Sequence, residues 1–313
     1  MNRKSTIALA VVLAFLPGTQ GAFAWGSLTH AFITNQIASG SESSRQNAIY
    51  GSTAPDFANY MFGSPYQMYL MDRTHNDFLR VWKMARGGPA HTLEQAVAFG
   101  FVAHNEEDYT AHSGSITLDP GSGYVIQKGQ ILNAMLGPAW EDLGLDGDQY
   151  AALRAELSHE VIEFAGDFFL ATYIDPASGK LLSDSATGCN KDFPALLTKA
   201  YAGNLVAFSN REKMRLNQPE AAGIITGSEF MFRGGMIAYG NLFMGTDAEE
   251  VFYNLVYYLQ GMAALQGIQI DDPELVAQVL GAALLVIQGD FGDEVFATIG
   301  FAAERLAEQK VAY

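Results

Sequence analysis

Apolar residues recur every three to four positions over several long stretches of the chain, and this period predicts α-helices. The predicted helices span residues 29–38, 93–111, 150–173, 194–208, 248–266 and 273–288, with 291–311 as a further candidate. Thr29 is the expected cap of the first helix. Clusters of Gly and Pro separate these segments, and neither alternating strands nor an internal repeat is evident. The sequence therefore predicts an all-α fold, a multi-helix bundle with additional apolar helices towards the C-terminus.

Residues 1–24 have the layout of a secretory signal peptide. Two positive charges, Arg3 and Lys4, precede an apolar run of about 12 residues, and Ala22-Phe23-Ala24 is a small-x-small cleavage site. A membrane anchor is the alternative, but a spanning helix needs about 20 apolar residues. We expect cleavage after Ala24, a secreted or periplasmic protein, and Trp25 as its first residue.

The remainder is expected to divide into a metal-rich region, residues 25–185, and an apolar helical region, residues 186–313. Residues 184–189 resemble a surface connection between them. The apolar helices of the second region are expected to pack on the same domain rather than on a membrane, since none reaches the length of a span. Cys189 is the only cysteine, so no internal disulfide forms, and bound metal is a candidate stabiliser. The formal charge of −16 argues against a stable nucleic-acid partner, and the oligomeric state stays open.

One predicted helix carries His104, Asp108 and His112. Positions i, i+4 and i+8 share a helix face, but His104 and His112 are about 12 Å apart along the axis. Because two ligands of one zinc each lie about 2.1 Å from it, these histidines are expected to serve different metals, with Asp108 between them. His159 and Glu163 repeat the i, i+4 spacing on another helix. A surface ion pair is the alternative for each pair, but the apolar surroundings favour metal coordination.

The ordered set of motifs resembles the bacterial zinc-dependent phospholipase C family, whose deeper relatives are the fungal single-strand-specific zinc nucleases. The motifs run from Trp25 to Glu163 and are Trp25-Gly-Ser-Leu-Thr-His30, Gly51-Ser-Thr-Ala-Pro-Asp56, His75, His104-x3-Asp108-x3-His112 and His159-x3-Glu163. Only three residues separate Asp108 from His112, where the best-known members have a longer gap.

The resemblance implies three zinc ions. Their implied ligand sets are Asp56, His75, His104 and Asp108 for the first, His112, His159 and Glu163 for the second, and the free amine and carbonyl of Trp25 with His30 and Asp108 for the third. Only a cleaved N-terminus offers that amine. Asp56 is also the implied catalytic residue that positions or deprotonates the attacking water. Asp77, Glu106, Glu107, Glu160 and Asp167 are all available to support ligating imidazoles, and the sequence does not choose among them. His91 matches no motif and is interpreted as a surface or capping residue.

The implied activity is that of a phospholipase C, which releases diacylglycerol and a phosphorylated head group from a phospholipid at a membrane surface. Phe57, Tyr60 and Phe62 follow Asp56 and are candidates for an aromatic head-group pocket, with core packing as the alternative. A zinc-dependent single-strand nuclease or nucleotidase is the second hypothesis. Glu163 stands where the nuclease branch usually has Asp, and the chain lacks disulfides. A non-catalytic, metal-stabilised binding protein is the third.

Overall fold

The structure, a computed structural model, describes residues 25–61, 63–87, 92–265 and 269–313. Within those ranges the chain forms helices and no β-strand, which confirms the all-α prediction. The α-helices are α1 Ser27–Ile37, α2 Glu42–Gly51, α3 Gln67–Asn76, α4 Leu79–Ala85, α5 Leu93–His112, α6 Tyr124–Met135, α7 Gly137–Asp142, α8 Ala151–Phe169, α9 Ser178–Gly188, α10 Phe193–Arg211, α11 Gln218–Leu242, α12 Ala248–Leu265, α13 Pro273–Ile287 and α14 Phe291–Glu308. Short helical turns cover Ala54–Tyr60 and Asp148–Tyr150, and a π-helical turn, Leu170–Ile174, extends α8.

The first helix begins two residues earlier than predicted and is not capped by Thr29. Its first-turn amides, Leu28 N–H and Thr29 N–H, donate to the two carboxylate oxygens of Asp167 on α8, at 3.0 and 2.9 Å. The Thr29 hydroxyl donates to the same carboxylate, as does the Tyr239 hydroxyl. Because a Cβ on Gly26 would lie 2.4 Å from the Asp167 carboxyl carbon, only glycine leaves room for this contact.

Residues 184–189, expected to be a surface connection, mostly belong to helix α9. Ser185 and Ala186 are wholly buried, so that expectation is wrong. The boundary expected at residue 185 falls inside a helix, where the chain has no break.

Helix α5 lies at the centre of the molecule and packs against α2, α4, α6 and α14. Its contact with α2 is very close, because a Cβ on Gly100 would lie 1.8 Å from the Ala48 carbonyl oxygen. A Cβ on Gly51 would likewise lie 2.2 Å from the Val97 carbonyl oxygen. This approach brings the segment after α2, which contains Ser52 and Asp56, against the middle of α5.

The C-terminal helices share the core of the metal-rich region. One cluster of buried apolar side chains runs from Trp25 to Val311. Helix α11 packs on the turn Ala54–Tyr60, α13 packs on α8, and α14 packs on α1 and α5. Among the described residues no single helix has the length and apolarity to cross a membrane; the pair α13 and α14 meets the criterion by length and composition, but it is bent by 65°.

Candidate metal centre

The eight side chains predicted as ligands converge on the central helix α5. His104, Asp108 and His112 lie along α5 itself, while His30 comes from α1, Asp56 from the turn after α2, His75 from α3, and His159 with Glu163 from α8. They form three adjoining groups, each with its candidate ligand atoms within 4.8 Å of one another. The groups are Asp56, His75 and His104; His30, His104 and Asp108; and His112, His159 and Glu163.

In the first group two imidazoles face each other through their Nε2 atoms. His75 Nε2 and His104 Nε2 are 3.2 Å apart, and Asp56 Oδ1 is 3.5 Å from His75 Nε2. His104 Nδ1 donates to the Ser52 carbonyl at 2.7 Å and His75 Nδ1 to the Met71 carbonyl at 2.9 Å. The Nε2 atoms are therefore the ones that can bind a cation, either a proton or a metal ion. Two donors on one tetrahedral zinc are about 3.4 Å apart, so the observed spacing fits this ion.

The electrostatics of this group favour one positive charge between the rings. Burial lowers the pKa of His75, but the neighbouring carboxylates of Asp56 and Asp108 outweigh it and raise the pKa to about 9. Burial, reinforced by His30, lowers the pKa of His104 to about 4. One ring therefore carries a proton and the other is an unprotonated acceptor. A metal ion satisfies both rings at once.

The second group has orphaned atoms at its centre. His30 Nε2 and Asp108 Oδ1 are 3.9 Å apart, and both are buried without a hydrogen-bond partner. Asp56 Oδ1 is buried and unpartnered in the same way. Such atoms are costly in a protein interior, and coordination to a metal removes that cost.

Glu107 holds His30 in the orientation that ligation requires. Its Oε2 lies 2.5 Å from His30 Nδ1, and its Oε1 accepts from the Thr34 hydroxyl at 2.7 Å. The Glu107 side chain is wholly buried; burial raises its pKa to about 8, against the lowering effect of Thr34. A carboxylate on Nδ1 fixes the tautomer that leaves Nε2 as the ligand.

The third group repeats the facing arrangement. His112 Nε2 is 3.1 Å from His159 Nε2, which is 2.6 Å from Glu163 Oε1. Burial raises the pKa of Glu163 well above its usual value, and the charges of Asp56, Glu160 and other carboxylates raise it further. This concentration of buried negative charge favours a bound cation.

Asp108 connects the second and third groups. Its Oδ1 faces His30, while its Oδ2 lies 3.6 Å from His112 Nδ1. Burial raises the pKa of Asp108, but His112 and the other histidines lower it below the usual range. The carboxylate is therefore ionised and faces both groups.

The centre has a wholly buried floor and a partly exposed rim. The side chains of His30 and His104 are wholly buried, whereas those of Asp56 and His112 are 13% and 17% exposed. The partly exposed side of the centre is therefore at Asp56 and His112, with the wholly buried histidines behind them.

Trp25 lies beside the turn of α5 that carries Asp108. Its indole Nε1 donates to the Glu107 carbonyl at 3.1 Å and lies 3.0 Å from the Thr110 hydroxyl. The ring is buried against Tyr124 and Phe291. The side chain therefore anchors the chain at Trp25 next to the second group.

The three aromatic candidates for a head-group pocket lie in different settings. Phe57 is wholly buried, which agrees with the alternative interpretation that these residues pack in the core. Tyr60 is half-buried, with its ring 5.4 Å from Phe232. Phe62, His91 and the predicted signal peptide lie outside the described residues.

The sequence did not assign two residues that support the site. Glu294 was not predicted at all, and Asp167 was one of several candidates. Glu294 on α14 accepts hydrogen bonds from Ser115, Ile116 and Thr117, in the loop that follows His112. Its position on the buried face of α14, where Phe291 and Val295 also lie, was the available signal. Asp167 continues the spacing of His159 and Glu163 by a further four residues, which could have marked it as part of the same face.

The fold and the site define an all-α protein with three adjoining groups of histidines and carboxylates that could hold metal ions. A sequence model described as zinc dependent phospholipase C matches residues 29–206, which include all eight side chains of the three groups. The chain belongs to the zinc-dependent phospholipase C family. Trp25 precedes the matched segment.

The chain also resembles an uncharacterized protein of Archaeoglobus fulgidus, with 28% identity over 166 residues. This similarity covers 52% of the chain but only 42% of the archaeal protein, so the chain spans less than half of its relative. No solved structure matches the chain. The family and the donor groups together identify a zinc-dependent hydrolase type of site.

Proposed function

We propose that the protein is a three-zinc phospholipase C, which hydrolyses glycerophospholipids to diacylglycerol and a phosphorylated head group. The observation that carries the proposal is the set of three adjoining donor groups with facing Nε2 atoms and orphaned buried oxygens. Asp56, His75, His104 and Asp108 would hold one zinc. His112, His159 and Glu163 would hold another.

The third zinc would bind to His30, Asp108 and the amine and carbonyl of Trp25. His104 Nε2 is a single donor, so once it serves the ion beside His75, the second group retains only His30 Nε2 and Asp108 Oδ1 as side-chain donors. A zinc needs about four ligands. The buried indole of Trp25 next to Glu107 supports the main chain of Trp25 as the source of the missing donors.

Bound zinc supplies Lewis acidity and lowers the pKa of water at the site to about 7. The protein's own groups provide the rest. Asp56, on the partly exposed rim, orients the attacking water and accepts its proton. Glu107 keeps His30 in one tautomer, and Asp108 fixes His112 and His30 relative to each other. The buried floor at His104 excludes bulk water from one side of the centre.

The phospholipid rather than the nucleic-acid substrate is favoured by the family and by the charge of the chain. A formal charge of −16 repels a polyanion outside the immediate site. Export is part of the proposal, because Trp25 offers an amine only after cleavage at Ala24. Secretion would thereby complete the metal centre.

Zinc content and substrate preference test the proposal. Protein that begins at Trp25 should contain close to three zincs and should hydrolyse phosphatidylcholine faster than single-stranded DNA. Asp108→Asn should lose zinc and activity together, whereas Asp72→Asn, an exposed carboxylate paired with Arg73, should retain both. Zinc-free protein would refute the proposal, and faster turnover of DNA would establish a nuclease instead.

The role of the N-terminus has its own test. One extra residue before Trp25 converts the amine into an amide and should remove one zinc of the three. The extended protein should keep its helical content, because the Trp25 indole contacts do not involve the amine. Full zinc occupancy in the extended protein would exclude ligation by Trp25.

A further inference from the structure

An apolar cavity borders the third donor group. It has a volume of about 140 Å³ and lies between α8, α12 and α13, with the end of α7 beside it. Glu163 lines this cavity and also belongs to the group with His112 and His159. The cavity therefore begins one side chain away from the metal centre.

Two adjacent faces of helix α8 explain this arrangement. His159 and Glu163 point to the metal centre, while Leu157, Val161 and Phe164 line the cavity. Residues three and four apart share a helix face, so the two sets occupy neighbouring stripes. Helix α13 closes the opposite side with Val276, Val279 and Leu280.

The size and chemistry of the cavity indicate an apolar occupant. The cavity volume of about 140 Å³ is roughly ten times the 10–15 Å³ that one water molecule needs. The charged lining consists of Glu160 and of Glu163, which also belongs to the third donor group, and the other walls are apolar. Dry cavities of about 150 Å³ bind benzene-sized molecules, so this one accommodates about six carbons.

We infer that this cavity binds one acyl chain of the lipid whose phosphodiester lies at the metal centre. The inference rests on the proposed function and adds to it a site for the hydrocarbon part of the substrate. An amphiphile fits this arrangement. Its chain would enter between α8 and α13, while its polar group would lie at the Glu163 end of the cavity, next to the cations of the metal centre. A head group alone or a nucleotide would leave the cavity empty.

A direct binding measurement tests the cavity without requiring hydrolysis. The fluorescent fatty acid 11-(dansylamino)undecanoic acid should bind once per chain and be displaced by lysophosphatidylcholine. Val276→Phe and Val279→Phe fill the cavity and should each weaken binding at least tenfold. Leu285→Phe is the matched control, since Leu285 lies on the same helix but is 64% exposed. Zinc content and thermal unfolding identify any variant that fails to fold.

A chain-length series tests the same inference through activity. Dibutanoyl, dihexanoyl and dioctanoyl phosphatidylcholine are compared as monomers with p-nitrophenyl phosphocholine, which has no acyl chain. Each methylene that enters the cavity should raise kcat/KM about fourfold, up to about six carbons. Val276→Phe should flatten this dependence, whereas the control Leu285→Phe should retain it and leave the turnover of the chromogenic substrate unchanged.

The outcomes separate the two proposals. Equal probe binding by the wild type, Val276→Phe and Val279→Phe, or no binding at all, overturns the acyl-chain site even if lipid is cleaved. Cavity-dependent binding with no hydrolysis of any phosphodiester supports the site and refutes the phospholipase activity. A chain-length dependence that persists in both filled variants also overturns the inference.

Discussion

Replacement of Glu107 tests whether the centre depends on a side chain that binds no metal itself. Glu107 is wholly buried and accepts from His30 Nδ1 and from the Thr34 hydroxyl. Glu107→Gln preserves the shape and removes the charge that Glu107 carries above its raised pKa of about 8, so the two proteins are compared at pH 9. The variant's amide oxygen still accepts from His30 when its NH₂ faces the Thr34 oxygen, so the fold should be retained.

The size of the effect follows from the hydrogen bond to His30. A hydrogen bond to a charged group contributes about 1.5–3 kcal/mol and one between neutral groups about 0.5–1.5 kcal/mol. The midpoints of these ranges differ by about 1.2 kcal/mol, which corresponds to nearly tenfold in zinc affinity, close to the lower end of the 10–100-fold range for such supporting residues. Glu107→Leu leaves His30 Nδ1–H without an acceptor and should cost about 100-fold.

Competition with a chromogenic chelator measures the affinities of the bound zincs. We expect one zinc, the ion beside His30, to weaken about tenfold in Glu107→Gln, with the others less affected. Glu106→Gln is the matched control, because the adjacent Glu106 faces Arg305 and Gln309 on the C-terminal helix. This variant should lower the unfolding temperature and leave zinc binding intact. If the Glu107 and Glu106 variants bound zinc equally well, the assigned role of Glu107 would be refuted.

Three further predictions concern the support of the centre. Gly26→Ala drives a Cβ into the Asp167 carboxylate and should destabilise the fold by about 1–3 kcal/mol in urea unfolding. Gly203→Ala is the control, because its Cβ meets open space within a helix, and it should stabilise the fold slightly. Glu294→Gln should lower the free energy of unfolding by about 1–3 kcal/mol and weaken zinc binding at His112, because it loosens the loop after that residue. Unchanged zinc affinity would limit Glu294 to a structural role. Chelation of zinc should lower the thermal midpoint, and the midpoint should rise with free zinc concentration; a midpoint independent of zinc would show that the ions do not stabilise the fold.

The grouping of five candidate ligands on two helix faces was predictable because their spacing is local. His104, Asp108 and His112 share a face of one helix at any tertiary packing, and His159 and Glu163 share a face of another. The supporting residues depend on packing instead. Glu106 and Glu107 are neighbours of identical chemistry, yet only Glu107 faces His30, and the helical period alone does not show which face meets α1.

The helices missed by the sequence reasoning have weak local signals. Helix α2 is largely polar, and α11 contains five glycines, which lower its helix propensity. Tertiary contacts explain two of these glycines. A Cβ on Gly240 would lie 2.5 Å from the Gly179 carbonyl oxygen, and one on Gly235 would lie 2.2 Å from the Tyr60 hydroxyl. Such close approaches require glycine where propensity alone would disfavour a helix.

The short spacing between Asp108 and His112 is accommodated by an unbroken helix. Helix α5 ends at His112, so four residues of regular helix place its Nδ1 3.6 Å from Asp108 Oδ2. The other oxygen, Oδ1, remains directed at His30. The irregular segment follows His112 rather than preceding it, and Glu294 holds that segment from α14. The C-terminal helix α14 therefore supports the segment that follows His112, which ties the geometry of the candidate metal centre to the apolar half of the chain.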